Sequence, residues 1–167
     1  MKNYIMFEGK KIPLTDEQIE MLRGTKKPVE VKKNLFERAY DKGYYFIQYN
    51  GAVEYDFDRG SVGDDLCFAI ANYCTDKKLM KQRALHETLN RLLWRFSMEN
   101  GEGENKWDCE HSHWVIKYIH DSGVFCTSWT TVVHQADAIY FSTDELACRA
   151  IEEIIKPFMK EHPEFVW

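Results

Sequence analysis

The chain has 167 residues, 44% of them hydrophobic and 14% aromatic, which is enough apolar material for one substantial core or two small ones sharing an interface. Its 22 basic against 27 acidic residues give a net charge of -5, which argues against a protein that wraps nucleic acid by bulk charge and favours a basic partner. No apolar run approaches the roughly 20 residues of a membrane span, and residues 1–9 are too short a start for a signal peptide, so the reading expects a soluble, cytoplasmic protein.

Residues 4–7 read as a short strand and residues 8–11 as a turn. Thr15 then caps a short helix, with Gln18 completing a capping box and Gly24 as the stop. Residues 25–33 form a charged connector in which Pro28 forbids helix continuation. From residue 44 the grammar changes. Two apolar runs, 44–49 and 52–58, flank Asn50-Gly51, the pair that a type I′ hairpin turn favours. A loop over 59–65 leads to the apolar run 66–73, read as a third strand, and Thr75 is the expected cap of a long helix. Leu85, Leu89, Leu92, Leu93 and Phe96 fall on one stripe of that helix, which ends near Asn100-Gly101.

The order then recurs. Runs 114–119 and 124–129 make a second hairpin, a strand ends at Tyr140-Phe141, and Thr143 caps a last helix. Leu146, Ala147, Ala150, Ile151, Ile154, Ile155 and Phe158 are its apolar stripe, bent or ended by Pro157. The phrases Asn72-Tyr73-Cys74-Thr75-Asp76 and Tyr140-Phe141-Ser142-Thr143-Asp144 mark the two junctions, although the helix stripes match only after a shift of about one residue. The expected fold is α+β: one compact domain over 1–167, with an N-terminal strand-helix-connector segment (1–33) and two β-β-β-α units (44–100 and 113–160). A long helix covers each antiparallel sheet.

Three clusters invite a functional reading. Glu54, Asp56 and Asp58 alternate along one strand, with Asp64 and Asp65 just beyond, so an extended strand makes them one acidic patch. Such a patch suits a partner with a basic groove. Cys109, His111 and His113 stand at i, i+2 and i+4, types that zinc accepts, but they lack a fourth ligand and match no established finger. Lys77, Lys78, Lys81, Arg83, Arg91 and Arg95 make the first long helix basic, with Glu87 placed to pair with Arg91. Acidic and basic surfaces on one chain also permit a homodimer. Five cysteines without regular spacing read as reduced thiols. Neither a nucleophile elbow nor a glycine-rich nucleotide loop is present, so no catalytic residue and no cofactor is assigned.

The stretches Tyr44-Tyr45-Phe46-Ile47, Ala71-Asn72-Tyr73-Cys74-Thr75-Asp76 and Ile139-Tyr140-Phe141-Ser142-Thr143-Asp144-Glu145-Leu146-Ala147 resemble small proteins carried by phages, prophages and mobile elements of Gram-positive bacteria. In those proteins a tyrosine-rich hairpin precedes "Asn-Tyr-x-Thr" and "Tyr-Phe-x-Thr" helix starts. The likeness covers most of the chain after about residue 34, while Cys74, Cys148 and the Cys109 to His113 stretch are particular to this sequence. It implies a non-enzymatic protein that binds and inhibits or modulates host machinery, most concretely an anti-CRISPR inhibitor of Cas9 or its guide complex. The acidic patch would then occupy a groove built for nucleic acid. The alternatives are a nucleic-acid-associated accessory or regulatory protein of phage replication, using the basic helix, and a metal-binding protein or enzyme at Cys109 to His113.

Overall fold

The structure is a computed structural model and describes residues 4–7, 9–16, 19, 34–101 and 107–167. The chain divides into two compact units, Met1–Asn34 and Leu35–Trp167, where the sequence reading has a single domain. The break falls just after the charged connector.

In the smaller unit β1 (Tyr4–Phe7) pairs antiparallel with β2 (Lys10–Pro13), in the register Tyr4↔Pro13 to Phe7↔Lys10. The Ile19 amide donates to the Thr15 carbonyl at 2.9 Å, opening a helical turn where the cap is expected. The rest of that helix and the connector 25–33 lie largely outside the described residues.

The larger unit begins with β3 (Gly43–Ile47) and β4 (Val53–Phe57), an antiparallel hairpin. Its turn is not type I′. Gly51 has φ +86°, Asn50 stays out of the left-handed region, and the Gly51 amide donates to Gln48 O at 2.9 Å while Gln48 N donates to Ala52 O at 2.8 Å. This is a three-residue loop in which only the glycine needs positive φ.

The third strand is absent. Residues Val62–Ala69 form a helix, α1, and what remains of the expected pairing is one bridge, Tyr45↔Cys74, with bonds of 2.7 and 3.1 Å. Short apolar runs do not distinguish helix from strand by periodicity, and the N-terminal cap decides here. Asn72 continues the sheet with its side chain: Oδ1 accepts from Ile47 N and Nδ2 donates to Ile47 O, both at 2.8 Å.

The long helix α2 (Lys77–Asn100) is capped by Asp76, which accepts from Lys78 N and Leu79 N, and not by Thr75. Thr75 instead donates its amide and its hydroxyl to Leu35 O, at 2.9 and 3.2 Å.

The second half keeps the plan. β5 (His113–Ile119) and β6 (Val124–Thr130) pair over their whole length, the next strand is again a single bridge, Trp114↔Phe141, and Thr143 caps α3 (Asp144–Ala150) as expected. Aligning the bridges (Cys74 with Phe141) also aligns the caps (Asp76 with Thr143) and two buried positions beyond each cap (Met80 with Ala147, Ala84 with Ile151). The repeat is therefore one residue out of step with the Thr75/Thr143 match. After α3 comes a π-helical turn, Ile151–Ile155, in which Lys156 N reaches Ile151 O, and then α4 (Lys156–Glu161). Pro157 offers no N–H and its ring crowds the carbonyl four residues back. The wider turn absorbs that clash, and the helix runs on to Glu161.

Two apolar clusters hold the fold. Ile47, Cys74, Met80 and Ala84 join the first hairpin to the start of α2. Leu89, Leu93 and Phe96 from its later turns pack with Phe141, Leu146, Ala147, Ile151, Ile155, Phe158 and Phe165. One helix thus serves both sheets, where the sequence reading gave each sheet its own. The class is α+β, with antiparallel two-stranded sheets among the described residues.

Candidate functional site

The structure scatters the five candidate acids. Asp58 is fully buried and grips Arg38 through two bonds, Nε to Oδ2 at 2.7 Å and Nη2 to Oδ1 at 3.0 Å, while Gly60 N donates to Oδ1 at 3.0 Å. The Arg38 guanidinium holds the Asp58 carboxyl below its usual range despite burial. Asp65 accepts from Arg38 Nη1 at 2.6 Å, so one arginine is shared by two of the acids.

Asp64 is buried as well and supports α1. Its Oδ2 accepts from Ser61 Oγ, Ser61 N and Arg59 N at 2.8, 2.9 and 3.0 Å, its Oδ1 accepts from the buried Tyr44 hydroxyl at 2.8 Å, and Ser61 Oγ accepts in return from Asp64 N. This is a capping box. The Ser61 hydroxyl and amide, with Tyr44 and Arg59 adding to them, hold Asp64 at about 2. Burial first, and then the bond to Asp64, push the Tyr44 phenol upward. Glu54 and Asp56 alone of the five are exposed without a cationic partner among the described residues. The motif Ser61-Val62-Gly63-Asp64 and the spacing of Val62, Leu66 and Ile70 are the sequence signals for α1 that a strand reading of 66–73 overlooks. Arg38, the counter-ion of the patch, carries no local motif.

With Asp64 turned inward, α1 is an inside-out helix. Asp64 is its one buried residue, while Val62, Leu66 and the capping Ile70, at i, i+4 and i+8, are 75%, 59% and 66% exposed. Tyr44 stacks on Tyr73 at 4.2 Å, and Phe68 meets Tyr73 edge-on at 5.6 Å, locking α1 onto one face of the hairpin. Met80 and Ala84 of α2 take the other face with Ile47 and Val53. Glu54 and Asp56 pair across the ladder with Phe46 and Tyr44 and so project on the α1 side, where Asp56 raises the Cys67 thiol electrostatically as a minor addition to burial. The result is an apolar stripe on α1 and, on the same side of the hairpin, two exposed carboxylates without a cationic partner among the described residues, Asp56 accepting only from Phe57 N at 2.7 Å.

Comparison with protein families, with curated proteins and with solved structures finds no match.

The zinc reading fails on geometry. Asp108 accepts from Glu110 N and His111 N at 2.9 and 2.7 Å, so residues 108–111 curl instead of extending. His111 is drawn to Asp108 (Nδ1 to Oδ2, 2.8 Å), which raises its pKa. The His111 amide and then its ring hold Asp108 at about 2. His113 is buried in the opposite sense, stacked on Trp107 at 3.8 Å with Nε2 on Asp108 O at 2.9 Å, and Cys109 stands in solvent. No group of three metal-type ligands converges among the described residues. Likewise no helix among them is long and apolar enough to cross a membrane.

Proposed function

We propose that this chain acts by stoichiometric binding of a protein partner, through the apolar stripe of α1 and the neighbouring Glu54 and Asp56. The inside-out helix is the observation that carries the reading. Covering Val62, Leu66 and Ile70 is worth about 1–2 kcal/mol each at their present exposure, a gain that only a partner supplies. The buried network of Arg38, Asp58, Asp64 and Tyr44 holds the stripe in one shape, which lowers the ordering cost of association. Glu54 and Asp56 suit a basic rim on the partner and steer its approach.

The resemblance to proteins of phages and mobile elements names the first partner to test, host machinery with a basic groove, and specifically Cas9 with its guide. The charge logic now rests on two acids and an apolar contact, since Asp58 and Asp64 are spent inside the fold. The test is cleavage by guide-loaded Cas9 titrated with purified protein. Inhibition complete near equimolar protein is expected, lost in the double variant Leu66→Asp, Ile70→Asp and weakened by Glu54→Lys with Asp56→Lys. All four positions are exposed, so unfolding midpoints stay within about 0.5 kcal/mol of the parent. Undiminished cleavage at large excess removes Cas9. Pull-down from host lysate and sedimentation of the protein alone then test the face itself. A partner, or a homodimer, held equally by parent and Leu66→Asp, Ile70→Asp sinks the assignment to α1.

A further inference from the structure

A second feature lies along α2 and meets the stripe at one end, where Ile70 faces Arg83 and Arg91. A cleft of about 310 Å3 has Trp94, Met98, Trp107, His134 and Tyr140 in its walls, a size suited to a small-molecule fragment. Three of its four rings are held by their neighbours. Trp107 stacks on the buried His113, His134 meets Trp107 edge-on at 4.8 Å, and the Tyr140 hydroxyl accepts from Gln135 N at 2.7 Å. Trp94 is 58% exposed and also lines a second hollow of about 500 Å3 that continues past Arg91 to Glu87. Glu87 and Arg91 in turn border a third of about 230 Å3, with Arg83 and the exposed Tyr49. Arg83, Glu87, Arg91, Trp94 and Met98 recur every three to four residues, so they share one helix face about 22 Å long.

We infer that this furrow binds a nucleotide unit, with the base stacked in the aromatic cleft at Trp94 and its phosphate at Arg91 one helical turn away. Aromatic walls take any base by its π-face, and the walls of this cleft include no carboxylate. A quaternary ammonium, the other guest of aromatic cages, is disfavoured because the nearest charges on the helix beside Trp94 are Arg91 and Arg95. Glu87 accepts from both Arg83 and Arg91, at 2.9 and 3.1 Å, so one carboxylate serves two guanidiniums and the pair keeps positive charge. Six basic against two acidic residues make α2 the positive element of a chain whose net charge is -5. Asp137 on the opposite lip tempers this field, so stacking supplies most of the grip and phosphate the smaller part.

Binding is measured with thymidine monophosphate by equilibrium dialysis, and with a fluorescein-labelled oligo(dT) of roughly ten nucleotides by anisotropy. Trp94→Ala is expected to weaken either about tenfold, and Arg91→Ala about threefold. Trp129→Ala, 58% exposed outside the furrow, changes nothing. Added salt lowers the affinity only shallowly, with a slope near that of about one phosphate contact. Equal affinity for both probes assigns the site to a free nucleotide, and binding of the oligonucleotide alone assigns it to a single strand. Three results overturn the inference: no binding of either probe at about 1 mM, affinity untouched by Trp94→Ala, or choline binding where both probes fail. A furrow that instead seats a peptide gives the first of these.

Discussion

Replacing Ala71 with glycine is expected to stabilise the protein. Ala71 follows α1 with φ +56°, in the left-handed region, and closes a Schellman motif: its amide donates to Phe68 O at 3.0 Å and Asn72 N donates to Cys67 O at 2.8 Å. An L side chain in that conformation costs about 1–2 kcal/mol, against about 0.4–1 kcal/mol for the extra freedom that glycine gives the unfolded chain. The net gain is about 0.5–1 kcal/mol, or roughly 2 °C for a domain of this size. The bonds that hold the motif are backbone bonds and survive the change. Urea and thermal unfolding followed by circular dichroism measure the effect, with an unchanged urea slope. Gly51→Ala is the mirror control. At φ +86°, with a new Cβ 3.1 Å from Thr88 Oγ1, it should destabilise by about 1–2 kcal/mol. An Ala71→Gly protein no more stable than the parent would refute the reasoning, because the strain would then be relieved elsewhere.

Tyr44→Phe removes one of four donors to Asp64 and should cost about 1–2 kcal/mol at pH 7, the lower range for a bond to a charged group, since three donors remain. Asp64 is depressed from 3.8 to about 2, so its contribution is present above about pH 4 and is lost as pH falls through about 2. The gap between parent and variant in urea midpoint should therefore narrow at pH 2, and a gap independent of pH contradicts the assignment. His113→Ala should cost about 2–3 kcal/mol through the lost stack on Trp107 and the bond to Asp108, while the exposed His111→Ala stays within about 0.5 kcal/mol. Equimolar zinc is expected to move the melting temperature of neither variant nor the parent, as a scanning fluorimetry series would show.

The α+β class, both hairpins, the two long helical stripes and the Thr143 cap were legible because each rests on local periodicity or on a capping residue. The misreadings come largely from side chains committed to hydrogen-bond partners, distant or local, that spacing does not reveal. Thr75 has the chemistry of a cap, yet its hydroxyl goes to Leu35, and Asp76 takes over one residue later. Alternation along β4 places Glu54, Asp56 and Asp58 together, but Asp58 lies past the last ladder pair and turns in to Arg38, twenty residues earlier. His111 and His113 separate because Asp108 curls the chain, a consequence of geometry that spacing alone does not encode. The aromatic cleft was not legible at all, since Trp94, Trp107, His134 and Tyr140 come from three stretches that meet only in the folded chain.

The way α2 is divided between two cores bears on how the repeat could be taken apart. Leu89, Leu93 and Phe96 lie in the first copy by sequence and in the second copy's core by packing. A fragment of residues 107–167 made alone would lack three wall residues of its own interior, and a fragment ending at Gly101 would expose them to water. Neither piece is self-sufficient, but mixed together they carry complementary apolar surfaces. The two halves are thus a matched pair, suited to reconstitution from two chains and not to use as independent modules.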